Sequence, residues 1–338
     1  MIERLVNGDF GGVDHICAFS SVCTNMSARH AFLQVDAFTS TPLQGNPCVV
    51  VFDADDLPTE TMQAIALEMN LSETAFVLKS SVADFRARYF TPMEEIPLAG
   101  HPTISTIFAL IHTGRLPLTA PYMCIRLELQ VGPIPIEIHS TSCHVMKDAP
   151  TTCKVLTTSH VDRIVMSQKK PKFQRTYSAE EVLPAFGLTA EDLVEGVPIQ
   201  TVSTGTPQLM VLVKNIDALC KARLSLPEYI ALRGSGDFFS PHLFCLQGFT
   251  AEGQTFARHF GVPPDTMEDP FTGSASGGMG AFLWHYSLIP SPSFIAQQGH
   301  LMHRPGQAYV EVIGPREDIE TVKVGGTAVP IKQGEFLL

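Results

Sequence analysis

Residues 90–113, FTPMEEIPLAGHPTISTIFALIHT, and residues 267–287, MEDPFTGSASGGMGAFLWHYS, present the same succession of features. Each stretch runs from an acidic pair through a proline to a glycine, Gly100 or Gly273, and continues into an apolar segment of helical length. An internal repeat of this kind predicts two halves of similar topology. Each half is then expected to bury one helix behind a polar loop.

The length and the strand patterns favour the same division of the chain. A chain of 338 residues is long for a single hydrophobic core. Residues 85–89 and 125–129 alternate apolar with polar side chains, which is typical of an antiparallel sheet with one wet face. The predicted parts are a flexible arm at 1–30, an N-terminal domain at 31–155 to which 322–338 can return, a linker within 147–160, and a C-terminal domain at 156–321.

The charge balance argues against two classes of partner. Lys and Arg number 23 against 34 Asp and Glu, which gives a net charge of −11 without a run of like charges. Nucleic acids and anionic membranes attract basic surfaces, so neither is expected as a partner. Apolar stretches such as 103–111 are too short to cross a bilayer, and the first thirty residues lack an apolar signal core. We expect a soluble cytoplasmic protein.

Cysteine and histidine spacing gives no sign of a metal or a disulfide framework. The eight cysteines include no CxxC pair, and the twelve histidines form no cluster at metal-ligand spacing. We therefore expect free thiols, no metal and no cofactor.

The two glycine-containing loops carry the candidate chemistry. A turn that leads into a helix start presents unpaired backbone N–H groups, and two such starts facing each other would bind a carboxylate or an oxyanion. His101 and Asp269 lie in these loops, and either could move a proton in a buried cleft. Thr272 and Ser274 add hydroxyl donors. Taken singly, each of these residues is better explained as a turn or capping residue.

Four segments together resemble the phenazine-biosynthesis isomerase (PhzF) family, which is related to diaminopimelate epimerase. They occur in family order and are VDAFTSTPLQGNP (35–47), EMNLSETAFV (68–77), FTPMEEIPLAGHP (90–102) and EDPFTGSASG (268–277). The resemblance implies an α/β (α+β) protein with two pseudo-symmetric domains, each a curved, mostly antiparallel sheet wrapped around a central helix. It also implies a small-molecule substrate between the domains, a homodimer, and neither metal nor organic cofactor.

The resemblance also implies roles for particular residues. His101 and Asp269 would be polar active-site residues. Ser274, with the amides around Gly273, would hold a substrate carboxylate near Thr272 and Gly100. Asn46 and Gly45 would lie on the opposing wall.

One position departs from the family pattern. Gln44, in PLQGNP, stands where the phenazine isomerase has the glutamate that moves the proton. An amide has no useful pKa near neutrality, so Gln44 cannot be a general base and is expected to hydrogen-bond the substrate. The paired cysteines of the epimerases are also replaced, here by His101 and Ser274.

These features leave three functional hypotheses. The first is a cofactor-independent isomerase or related lyase that acts on a small carboxylated or cyclic metabolite of secondary metabolism. The second is a dehydratase or a pericyclic or cyclisation catalyst, in which the cleft orients and polarises the substrate. The third is a small-molecule binding protein without catalysis. Because a plain binder needs no titratable pair, His101 and Asp269 favour an enzyme.

Overall fold

The computed structural model describes residues 29–141, 161–261 and 267–338. The predicted linker lies outside these ranges, as does the predicted arm except for Arg29 and His30, which begin the first strand.

The first half of the chain forms eight strands and two helices. The strands are β1 (Arg29–Ala37), β2 (Asn46–Val51), β3 (Glu73–Leu78), β4 (Phe85–Phe90), β5 (Glu95–Ile96), β6 (Tyr122–Leu129), β7 (Gly132–Ser140) and β8 (Val161–Ser167). The helices are α1 (Thr59–Met69) and α2 (Gly100–His112).

The second half repeats this plan with additional short helices. The strands are β9 (Lys172–Tyr177), β10 (Ile199–Ser203), β11 (Pro207–Leu212), β12 (Ser240–Cys245), β13 (Thr255–Phe260), β14 (Glu268–Asp269), β15 (Ser293–Gln298), β16 (Gly306–Ile313), β17 (Thr321–Gly326) and β18 (Ala328–Leu337). The α-helices are α3 (Ala179–Val182), α4 (Ile216–Lys221), α5 (Leu226–Ser235) and α6 (Gly273–His285), with 3₁₀ turns at Leu183–Phe186, Ala190–Asp192 and His300–Met302.

Strand pairing relates the two halves. The parallel pairs β2 with β3 and β4 with β6 correspond to β11 with β12 and β13 with β15. The last strand, β18, pairs with β1 as β9 pairs with β10, so the end of the chain returns to the first half. Strands β8 and β17 pair across the halves and join all strands into one sheet. The predicted α/β fold class is confirmed, whereas the domain limits and the homodimer stay predictions.

The sheet surrounds α2 and α6, which are buried on nearly every side. A helix that is apolar all round belongs in a core, which explains the composition of both segments. Their N-termini touch, since a Cβ placed on Gly100 would lie 3.1 Å from Cα of Gly273. The two glycines therefore permit a close approach that places both helix starts at one site. No helix among the described residues is long and apolar enough to cross a membrane.

Candidate active site

A cavity of about 530 Å³ opens where α2 and α6 meet, and both halves contribute to its wall. Its lining includes Glu73, Glu95, Gly100 and His101 from the first half and Gln208, Asp237, Ser240, His259, Asp269, Thr272, Gly273 and Ser274 from the second. A second depression of about 690 Å³ is lined by residues 246–251, 253–254, 288–291 and 293–294, none of which has a titratable side chain. Of these two cavities, the first is the one whose lining includes side chains that could move a proton.

His101 is the second residue of α2 and is only 3% exposed. Its Nδ1 lies 3.0 Å from Oε2 of Glu73 in a buried ion pair. Burial by itself would lower the pKa of His101, but the nearby carboxylates of Glu73 and Asp269 outweigh burial and raise this pKa above its ordinary value of 6.5. His101 is therefore biased towards the imidazolium form.

Asp269 ends the short strand β14 and is held by donors from three elements. Its Oδ1 accepts from Asn46 at 2.9 Å and from Ser72 at 3.0 Å, and its Oδ2 accepts from Thr272 at 2.5 Å. Burial and then the like charge of Glu73 raise the pKa of Asp269 to about 6, against the opposing effect of His101. A carboxyl with this pKa can both take up and release a proton near neutrality.

Asn46 links these two titratable groups. Its Nδ2 lies 3.1 Å from His101 Nδ1, 2.9 Å from Asp269 Oδ1 and 2.8 Å from the carbonyl oxygen of Phe271. An amide has two hydrogens, so only two of these acceptors are served at once. When His101 Nδ1 carries a proton, both hydrogens go to Asp269 and Phe271. The amide thus responds to the protonation state of His101.

Two buried polar atoms at this site have no hydrogen-bond partner among the described residues. They are Nε2 of His101 and Oδ1 of Asn46. Buried polar groups are normally satisfied, and a cluster of unsatisfied ones is typical of a site that a ligand completes.

Both helix starts leave their first N–H groups free for an anion. Ala99, which precedes α2, offers no capping oxygen, and Thr272, which precedes α6, donates its hydroxyl to Asp269 and does not cap the helix. The first N–H groups of each helix, beginning at Gly100 and Gly273, are therefore available, with Ser274 beside them on the cavity wall. No Lys or Arg lines the described part of the cavity.

The loop that contains Gln44 lies beside this site but does not contribute its side chains to the described cavity wall. The backbone carbonyls of Gln44 and Gly45 accept from Arg304 at 3.0 and 2.8 Å, and Arg304 also forms a 2.8 Å ion pair with Asp36. Gly45 has a φ of +62°, and a Cβ there would lie 2.1 Å from the carbonyl oxygen of Ala37. Gly45 is thus required by the turn.

Residue by residue, the structure brings most of the predicted site together. The cavity is lined by six of the predicted residues, His101, Asp269, Thr272, Gly273, Ser274 and Gly100. Asn46 is not in the lining but contacts His101 and Asp269. Gln44 and Gly45 are not part of the described lining. Sequence reasoning assigned no role to Glu73 or Ser72. Both lie within EMNLSETAFV, a segment that carried the family resemblance, and the carboxylate of Glu73 within it was the available signal.

Comparisons with known proteins show which family the chain is similar to. The family model described as "Phenazine biosynthesis-like protein" matches residues 35–334. The chain is 33% identical over 313 residues to the trans-2,3-dihydro-3-hydroxyanthranilate isomerase of Pseudomonas fluorescens, with 91% of this chain and 100% of that protein covered. It is 32% identical over 299 residues to the uncharacterized isomerase YfhB of Bacillus subtilis, with 88% of this chain and 95% of that protein covered.

A solved structure shows the same fold. The phenazine biosynthesis protein of the PhzF family from Bacillus anthracis superimposes with a TM-score of 0.79 at 33% identity, and the match covers 92% of this chain and all of that chain. Because the match covers 92% of this chain, the structural similarity extends over both halves.

Proposed function

The chain belongs to the phenazine biosynthesis-like (PhzF) family, and on that premise we propose that it is an isomerase that moves a proton within a small carboxylated cyclic metabolite. The observation that carries this proposal is the buried carboxyl of Asp269, whose pKa is raised to about 6 beside His101 in a cavity formed by both halves. A carboxyl that titrates near neutrality, next to a histidine that is biased towards its protonated form, supplies a base and an acid at neutral pH.

The substrate carboxylate is held by the helix starts. The free N–H groups at Gly100 and Gly273, together with the Ser274 hydroxyl, supply donors at the positive ends of two helix dipoles. With no Lys or Arg on the described wall, these donors attract the anion. The touching helix starts thus fix the substrate's orientation before any proton moves.

The proton then moves between carbon atoms of the substrate through the side chains. Ionised Asp269 takes a proton from one carbon, the electron pair of that C–H bond shifts the adjacent double bond, and a protonated group gives a proton to a second carbon. His101, whose Nε2 has no partner in the described structure, is the donor. The product has the composition of the substrate, but the step leaves Asp269 protonated and His101 neutral. The resting state returns when Asp269 releases its proton to solvent and His101 takes one up from solvent.

Glu73 and Asn46 position and tune these two groups. The carboxylate of Glu73 raises the pKa of both Asp269 and His101. Asn46 donates to Asp269 at 2.9 Å and releases or binds His101 according to its protonation state. Gln44 has no proton-transferring role in this scheme.

The charged residues that line the cavity indicate a second functional group on the substrate, in addition to its carboxylate. Five carboxyl side chains line the described cavity, namely Glu73, Glu94, Glu95, Asp237 and Asp269. A substrate with a donor or cationic group next to its carboxylate suits such a wall better than a plain acid does. The compound on which the Pseudomonas fluorescens relative acts, trans-2,3-dihydro-3-hydroxyanthranilate, carries an amino group beside the carboxylate.

Incubation with trans-2,3-dihydro-3-hydroxyanthranilate in deuterated water tests this proposal. The expected result is an isomerised product that contains carbon-bound deuterium, detected by mass spectrometry and proton NMR, with no such product from Asp269→Asn. A compound that binds and is recovered unchanged and unlabelled would contradict the proposal and favour a binding protein.

A further inference from the structure

A second buried polar cluster reaches the same cavity from β11, β12 and β13. Its members are Gln208, Ser240, His242 and His259, which are 2%, 1%, 0% and 4% exposed. Gln208, Ser240 and His259 line the cavity, and none of the four takes part in the proton transfer proposed above.

These side chains form one chain of close contacts. The Oγ atom of Ser240 donates to Oε1 of Gln208 at 2.7 Å and lies 2.8 Å from Nε2 of His259. The Nδ1 atoms of His259 and His242 are 3.2 Å apart. Four groups from three adjacent strands are therefore connected in series.

With Ser240 as the donor to Gln208, proton counting assigns a direction to every other hydrogen bond in the chain. A hydroxyl has one hydrogen, and Ser240 gives it to the Gln208 carbonyl oxygen, so Ser240 must accept from His259 Nε2–H. Burial lowers the pKa of His259 to about 3, so its ring is neutral and its Nδ1 is bare. The hydrogen between the two rings therefore belongs to His242 Nδ1, and all donors point towards Gln208.

This arrangement leaves one end of Gln208 free. Its Oε1 is occupied by Ser240, whereas its Nε2 carries two hydrogens and makes no hydrogen bond with any described residue. If the amide were turned over, its NH₂ group would donate to Ser240 and Ser240 would donate to His259, so the orientation of Gln208 depends on the direction of the Ser240 hydrogen bond. With Ser240 as the donor, Gln208 offers two neutral donors to a cavity whose wall is otherwise rich in acceptors.

We propose that Gln208 is a specificity-determining residue whose amide NH₂ donates to an oxygen substituent on the substrate ring, while Ser240, His259 and His242 act as positioning residues that hold the amide. This inference rests on the proposed function, because it assumes a carboxylated ring bound at the helix starts. A site built to hydrogen-bond a substrate oxygen discriminates against an analogue that lacks it, since the protein donors are then left unpaired.

Two aromatic probes that differ by one hydroxyl test this assignment. They are 3-hydroxyanthranilate and anthranilate, and their dissociation constants are measured by calorimetry for the wild type, Gln208→Met, Ser240→Ala and Thr255→Val. Thr255→Val is the matched control, because Thr255 is a fully buried residue of β13 whose hydroxyl has no partner in the described structure and which lies outside the cavity lining.

The wild type and Thr255→Val should bind the hydroxylated probe about tenfold more tightly, as one well-placed hydrogen bond allows. Gln208→Met should bind both probes equally, with its affinity for anthranilate unchanged, and Ser240→Ala should show a reduced preference. A preference that survives in Gln208→Met would overturn the assignment. A wild type that binds neither probe would contradict the proposed function, and with it this inference.

A ligand-free measurement checks the relay separately. Nitrogen-15 NMR of the histidine rings should show the hydrogen on Nε2 of His259 and on Nδ1 of His242. The opposite tautomers would mean that Ser240 donates to His259, and Gln208 would then have its nitrogen and not its oxygen engaged, which overturns the proposal.

Discussion

His101 and His259 line the same cavity, one from each half, and are nearly equally buried at 3% and 4% exposure. Their pKa values nevertheless move in opposite directions. The pKa of His101 is raised because Glu73 and Asp269 outweigh burial, whereas the pKa of His259 is lowered to about 3 by burial alone. Burial therefore lowers the pKa of both rings, and the neighbouring side chains determine which ring is protonated.

Corresponding positions in the two halves of the sheet carry different residues, and this explains why the pKa values of the two histidines move in opposite directions. Glu73 begins β3 and pairs in parallel with Cys48 of β2, and Ser240 begins β12 and pairs in parallel with Gln208 of β11. The two positions correspond, with a carboxylate in the first half and a hydroxyl in the second. The first half thus carries charge next to its histidine, and the second half carries a neutral hydrogen-bond chain.

The largest expected effect follows from removing the charge of Asp269. Asp269→Asn should lower kcat by about 100-fold to 10,000-fold, the range typical of a lost general base, while carboxylate binding at the helix starts persists. In the wild type, kcat/KM should rise with pH through about 6 as Asp269 ionises. Steady-state kinetics across pH measures both effects.

Asp237→Asn is the matched control for this variant. Asp237 lies on the same cavity wall and accepts hydrogen bonds from Tyr177 and Thr201, away from His101. Its loss should reduce kcat far less. Equal losses in the two variants would show that overall wall charge, and not the placement of Asp269, sustains activity.

A smaller effect is expected on the pH dependence of the unfolding free energy, through the neutral His259. The unfolded chain protonates His259 near its ordinary pKa of 6.5, whereas the folded protein resists protonation down to a pKa of about 3. The unfolded state therefore binds more protons within this window, and stability falls as the pH falls below 6.5. Between about pH 7.5 and about pH 5, His259→Met should lose about 2 kcal/mol less unfolding free energy than the wild type.

Urea unfolding at the two pH values measures this difference, and comparing pH values within one variant cancels the packing cost of the substitution. Thr255→Val should keep the wild-type pH dependence. An identical pH dependence in His259→Met would mean that His259 is protonated in the folded protein, which would break the comparison with His101.

The smallest effect is expected at Gln44. Because its side chain is outside the described cavity wall and its carbonyl is held by Arg304, Gln44→Glu should change turnover by no more than about twofold. Kinetics of the variant on trans-2,3-dihydro-3-hydroxyanthranilate provide the check. A large gain or loss would place residue 44 among the proton-transferring groups, where the family resemblance puts its glutamate.

Local sequence signals were sufficient for the parts of the site that lie within one loop. The succession of acidic residues, proline and glycine before each helix identified His101 and Asp269 without knowledge of the sheet. Glu73 could not be paired with His101 in the same way, because their contact joins β3 to α2 across 28 residues of chain. The His242 and His259 contact likewise depends on the register between β12 and β13.

For Gln44, the sequence motif predicted the position of the loop but not the direction of the side chain. Its motif indicated a place in the active-site loop, and the backbone of that loop does lie against the second half through Arg304. The direction of one side chain in a tight turn depends on contacts from residues about 260 positions away in the sequence, which no local pattern encodes.

NMR titration of the histidine rings in the wild type and in Glu73→Gln distinguishes the two histidines directly. Nearby carboxylates should keep His101 protonated, whereas burial without a carboxylate should keep His259 neutral. The pKa of His101 should lie above 6.5 and should fall in Glu73→Gln, whereas His259 should stay neutral to about pH 3 in both proteins. Histidines that titrate together, or a pKa of His101 that does not respond to Glu73→Gln, would contradict the account.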